Sequence, residues 1–208
     1  MLPSSMHPAL LDALAVLFPV DCAGCGAPDR AVCVVCAASL IEPVTESRTP
    51  GGLLVRSALR YEGVTRKLLL ALKEENRTDV ARTLRRHLTP LVDPTLTLVA
   101  VPPSRRAWRR RGYDPVRLLF PAAGARLLEV TRQTSVQKSL SEAERARNRA
   151  GSLRARGTLA GRRLAIADDI MTTGATLDEA ARAVRAAGGE VVEAVTLAAT
   201  PRYFGRSR

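Results

Sequence analysis

Three apolar runs constrain the fold first. TLTLVAVP (95–102), RRLAIAD (162–168) and EVVEAVTLAA (190–199) read as buried strands. Between them lie stretches with helical spacing. In 176–187, Leu177, Ala180, Ala181 and Val184 share one face, and Gly188 and Gly189 supply the stop. Strands alternating with helices of this length predict an α/β fold with a parallel sheet. Upstream, 53–61 has strand character. Residues 62–75 read as a helix with Val64, Leu68, Ala71 and Leu72 on one face, and a second helix is expected over about 78–91. A helix is also expected over 112–130, with Pro115 in its first turn and Pro121 bending or interrupting it. Residues 6–18 suit a short amphipathic helix, and Pro43, Pro50, Gly51 and Gly52 mark a linker.

The four cysteines form two C-x2-C pairs, Cys22/Cys25 and Cys33/Cys36. Each such turn directs two thiolates toward one point, and two turns complete a tetrahedral Zn²⁺ site. Four thiolates leave no position for water, so the expected zinc is structural. The competing reading is four unrelated or redox-active cysteines.

Residues 164–176 read LAIADDIMTTGAT. The strand is expected to end at Asp168 and Asp169, where parallel sheets bind ligands. Thr172, Thr173, Gly174, Ala175 and Thr176 then lead into a helix, directing N–H groups and hydroxyls at one spot suited to a phosphate. Thr176 and Glu179 fit a capping box. A ribose 5-phosphate spans loop and acids, its phosphate in the loop and its hydroxyls on the two carboxylates. The acids can hold Mg²⁺ through waters or ribose oxygens. An ordinary strand–turn–helix with solvated acids is the alternative.

The chain of 208 residues carries a net charge of +12, from arginine excess, which fits either solvated faces or a polyanionic partner. Aromatics at 3% argue against a broad base-stacking platform. No apolar run approaches the ~20 residues that span a bilayer, and no signal-peptide pattern opens the chain, so a soluble, cytoplasmic protein without membrane insertion is expected.

LAIADDIMTTGAT resembles the phosphoribosyl-pyrophosphate (PRPP) motif of type I phosphoribosyltransferases. VAVPPSRRAWRRRGYDPVRLL (99–119), QKSLSEAERARNRAGSL (137–153) and the series Tyr61, Gly63, Arg66, Leu68 and Lys73 behind a four-Cys knuckle resemble segments of the ComF/GntX proteins. The chain thus resembles the ComF family over nearly its whole length. It departs at Asp114 and Pro115, where the family has Asn and Gln, and at Ser152-Leu153, where it has A-F.

The resemblance implies a type I phosphoribosyltransferase-like domain over 93–208. A hood of a strand and helices would cover 51–92, and an N-terminal helix with the zinc knuckle 1–50. It implies PRPP with Mg²⁺ as ligand and an unidentified acceptor. Pro102, Pro103 and Ser104 would form a pyrophosphate loop, with one or two of Arg105, Arg106, Arg109, Arg110 and Arg111 touching pyrophosphate. Residues 131–157 would be a flap carrying Gln137, Arg145 and Asn148. Trp108 is expected to pack, although its Arg-rich surroundings leave nucleic-acid stacking open. The resemblance also implies a second role in competence-related handling of single-stranded DNA with competence proteins.

Overall fold

Alternating side chains along the central strands are apolar on both faces, so the sheet they build must be covered twice. The computed structural model describes residues 20–28, 30–41, 43–124, 126–131 and 151–201. Its strands are β1 (Thr45–Arg48), β2 (Leu54–Arg60), β3 (Thr97–Ala100), β4 (Leu128–Val130), β5 (Leu153–Ala155), β6 (Arg163–Met171) and β7 (Glu190–Ala199). Five form one sheet in the order β1-β2-β7-β6-β3. Neighbours are parallel except for edge strand β1, which runs antiparallel to β2. Strands β4 and β5 form a separate antiparallel pair.

The helices are α1 (Val34–Ala38), α2 (Gly63–Glu74), α3 (Ala81–Arg85), α4 (Arg105–Arg111), α5 (Pro115–Leu119) and α6 (Ala175–Ala186). On one face, Leu98, Ala165, Ala167 and Val195 meet Leu68, Leu72, Leu84 and Leu119 of α2, α3 and α5. On the other, Val99, Leu164, Ile166 and Ala194 meet Leu177, Ala180 and Val184 of α6, together with Leu128 and Leu153. Each fully buried Leu or Val contributes about 1.5–3 kcal/mol, so α6 is held mainly by Leu177 and Val184.

Several expectations need correction. The stretch 78–91 is broken into a 3₁₀ turn Thr78–Val80, the short α3 and a second 3₁₀ turn Thr89–Leu91. Pro90 has no N–H for a helical bond to Arg86. The helix expected over 112–130 stops at Leu119. Phe120 precedes Pro121 and leaves the helical region with φ −119° and ψ 75°, and 128–130 is strand. Helix α4 was not anticipated.

Strand β6 runs three residues past Asp168, pairing Ile170 with Ala198 and Met171 with Ala199. The capping box is absent because Gly174, not Thr176, is the N-cap. The segment 51–92 contributes β2 to the main sheet. The helix expected over 6–18, and Gln137, Arg145 and Asn148 of the expected flap, lie outside the described residues. No helix among the described residues is long and apolar enough to cross a membrane.

Candidate active site

Extension of β6 carries both acids inside the sheet. Asp168 and Asp169 are only 9% and 8% exposed, not solvated at a strand's tip. Asp168 Oδ1 accepts the N–H of Asp169 at 2.8 Å. Burial, and then the neighbouring Asp169, push the Asp168 carboxyl well above the usual range.

Lys73, at the last turn of α2, reaches across and donates from Nζ to Asp169 Oδ1 at 2.9 Å. Its carbonyl accepts from Arg111 Nε, and the preceding carbonyl of Leu72 accepts from the Tyr113 hydroxyl. Arg111 also pairs with Glu74 at 3.0 Å. The residues 111–113 therefore fix the end of α2 and aim its lysine at the acids. Sequence reasoning noted Lys73 only as part of a resemblance and gave it no partner.

After Met171 the chain turns through Thr172 and Thr173 to Gly174, at φ 84°. A Cβ there would stand 2.9 Å from Thr49 Cγ2, so both conformation and space demand glycine. No side chain caps α6. Its first-turn acid, Asp178, is turned aside to Thr49 Oγ1 and the Gly51 N–H, the latter at 2.9 Å. Thr172, Thr173 and Thr176 are exposed and Ala175 is half-buried. The helix start thus presents N–H groups and hydroxyls to solvent without a competing carboxylate, as an anion site does. Thr49 and Asp178 escaped sequence reading because their pairing spans 129 positions.

Beside it, Val101 N–H donates to Ala167 O at 2.9 Å, so Pro102, Pro103 and Ser104 emerge next to the acids. Ser104 Oγ accepts from Ala107 N–H at 3.2 Å and caps α4. Arg105, Arg106, Arg109 and Arg110 are exposed on that helix, whereas Arg111 is spent on α2. Asp114 caps α5, accepting from Val116 and Arg117 N–H at 3.0 and 3.3 Å, with Pro115 in the first turn. The departures at 114 and 115 are therefore a helix start. Burial raises the Asp114 pKa, partly offset by those N–H groups.

Residues 116–208 match the family model of the phosphoribosyl transferase domain. That domain match takes in β6, the Thr172–Thr176 turn, α6 and β7; β2 and β3, outside it, complete the sheet. No curated protein matched the chain.

Ahead of the matched segment, the four cysteine sulfurs lie within 4.8 Å of one another. Cys25 and Cys33 are 3.7 Å apart at sulfur, close to the roughly 3.8 Å edge of a tetrahedron with Zn–S bonds of about 2.3 Å. Burial opposes ionisation of Cys22, but N–H groups of Cys33, Gly24 and Cys25 outweigh it and bring the thiol down to about 6. Cys36 is pushed up to about 12 by burial and the neighbouring sulfurs. A Cβ on Gly24 would stand 2.6 Å from Cys36 Sγ, so the turn has room for sulfur only. The donor set fits a tetrahedral thiophilic ion. Lys67 Nζ donates to Gly24 O at 3.0 Å and anchors this knuckle to α2.

Proposed function

We propose that the protein binds PRPP or a related ribose 5-phosphate and transfers the phosphoribosyl group to an acceptor, as a ComF-like phosphoribosyltransferase. The observation that carries this reading is a pair of buried carboxylates, the second five residues before the N-cap of a helix that no side chain caps, inside the matched segment. Thr172 to Thr176 bind the 5-phosphate through N–H groups and hydroxyls. Asp168 and Asp169 accept hydrogen bonds from the ribose hydroxyls. Two buried acids facing one lysine leave a deficit of positive charge, which suits Mg²⁺ held through the ribose oxygens. Mg²⁺ supplies neutralisation of the departing pyrophosphate. Pro102 to Ser104, with arginines of α4, line the pyrophosphate end.

Zinc held by Cys22, Cys25, Cys33 and Cys36 is structural, because four thiolates close its coordination shell. Metal analysis of purified protein should return one equivalent. The deciding experiment on the main reading is calorimetry with PRPP, with and without Mg²⁺, followed by a pyrophosphate-release screen. Saturable, Mg²⁺-dependent binding is expected, and its absence overturns the reading.

The exposed arginines of α4 favour a second reading, single-stranded DNA held through its phosphates in competence-related handling. Affinity should then fall steeply with salt. Equal affinity for heparin and duplex DNA would reduce it to general charge.

A further inference from the structure

Behind the 101–104 turn lies a cavity of about 300 Å³ that none of the residues 168–176 lines. Five arginines face it: Arg105, Arg109, Arg117, Arg126 and Arg156. Its two carboxylates are already engaged. Asp114 caps α5, and Glu129 pairs with Arg154 at 2.5 Å and Arg156 at 2.8 Å. Arg105, Arg109, Arg117 and Arg126 make no ion pair with another described residue.

Arg117 is the most constrained of them. Its Nη2 donates to Gly124 O at 2.6 Å, while its Nη1 is buried and finds no acceptor among the described residues. A buried donor left unpaired costs about 1–3 kcal/mol, and an anionic ligand would relieve it. The walls are not those of a simple phosphate site. Pro102, Pro103, Leu128 and Val130 contribute apolar surface, and Trp108 stands with the Arg126 guanidinium 4.6 Å from its ring centroid. Such a cation–π pair offers a flat guanidinium and an indole edge to a conjugated ring. A volume near the lower bound for small-molecule pockets suits a small ligand.

We infer that this cavity is a binding site for a planar aromatic carboxylate, the ring packed against the Trp108–Arg126 pair and the charge on Arg105, Arg109 and Arg117. The site stands apart from the sugar-binding residues and does not depend on their assignment. The 101–104 turn and, on α4, Arg105 and Arg109 are common to this cavity and the pyrophosphate end.

Trp108 is the sole tryptophan, so its fluorescence reports occupancy directly. Full-length protein is titrated with phthalate, with neutral phthalamide and with succinate, a dicarboxylate without a ring, exciting at the tryptophan edge. Phthalate should change the emission saturably. Phthalamide and succinate should each bind at least about tenfold more weakly, lacking either the charge or the ring. Arg105→Ala/Arg109→Ala should lose a similar factor, whereas Arg185→Ala, on an exposed arginine outside the cavity, should not. Asp168→Asn/Asp169→Asn should leave the phthalate response intact even where PRPP binding is lost, which separates the two readings. No saturable response to phthalate, or equal affinity for phthalamide or succinate, overturns the inference. Loss in Arg185→Ala equal to that in Arg105→Ala/Arg109→Ala does the same.

Discussion

Strands β6 and β3 lie side by side and end at the same edge of the sheet, yet their two ends are built in opposite ways. After β6 come two buried acids, a glycine-bent turn and a helix start without an N-cap side chain, where only Thr173 Oγ1 accepts the Ala175 N–H, at 3.4 Å. After β3 come two prolines, a serine that caps its own helix, and exposed arginines. One end has negative charge and open N–H groups; the other has positive charge and a closed helix start. A ligand with a sugar between two phosphates needs that polarity: hydroxyl acceptors in the middle and cation-rich surroundings for the leaving group.

The largest test removes the negative end. Asp168→Asn/Asp169→Asn should weaken Mg²⁺-dependent PRPP binding by about 3–6 kcal/mol, from two charged hydrogen bonds at roughly 1.5–3 each. Calorimetry reads this, and unchanged affinity removes the acids from the site. Stability should move the other way. In the folded chain the Asp168 pKa lies above its ordinary 3.8. Its burial is therefore favourable below that pH, and stability is lost as pH rises through the raised value. Asp168→Asn alone should raise the melting temperature at neutral pH, with the gain vanishing toward pH 3. A variant less stable at pH 7 than at pH 3, relative to wild type, contradicts the direction of the shift.

Next is the link between the ends. Lys73→Met removes the cation on Asp169 while Arg111 and Tyr113 still hold α2 in place. Breaking a fully buried pair costs about 3–5 kcal/mol; here both side chains keep some water contact, so about 2–3 is expected by denaturant unfolding. Asp169→Asn in the same chain should recover part of that loss. Additive losses in the double variant would show that the two groups do not interact in solution.

The contrast between the two ends also decides what could be read in advance. The β6 end is local: apolar run, acids, turn and helix occupy consecutive positions, so spacing alone placed them. Even there the strand's length was misjudged, because Ile170 and Met171 continue the sheet only through partners on β7, Ala198 and Ala199. The β3 end depends on distant contacts. Ser104 is a local N-cap for 105–111 that went unread among the arginines, but Lys73 acquires its role only when 111–113 dock on α2. The same holds for Thr49 and Asp178. Pro121 was seen as an interruption, but the strand beyond it exists only by pairing with 153–155.

Weakening the positive end should give a smaller, ligand-specific effect. Arg105→Ala/Arg106→Ala should lower PRPP affinity about tenfold, near 1.4 kcal/mol, since exposed cations are screened. Ribose 5-phosphate, which lacks pyrophosphate, should bind as before. Equal losses for both ligands would place these arginines outside the pyrophosphate end.

The smallest effect comes from the two helix starts themselves. Ser104 Oγ accepts the Ala107 N–H, so Ser104→Ala should cost about 1 kcal/mol of stability and Ser104→Gly only a few tenths. If the hydroxyl serves only as a cap, PRPP affinity stays constant in both variants. If it leaves the cap to meet pyrophosphate, both variants lose affinity, and Gly does not rescue it. The matching change after β6 is Gly174→Ser, which would bring a capping hydroxyl to the open helix start but against Thr49, where even a Cβ stands 2.9 Å from Cγ2. That variant should lose both stability and phosphate binding, whereas Ser104→Ala should lose stability alone. A helix start that tolerates serine at 174 with undiminished phosphate binding would end the distinction between an open and a closed terminus on which the comparison rests.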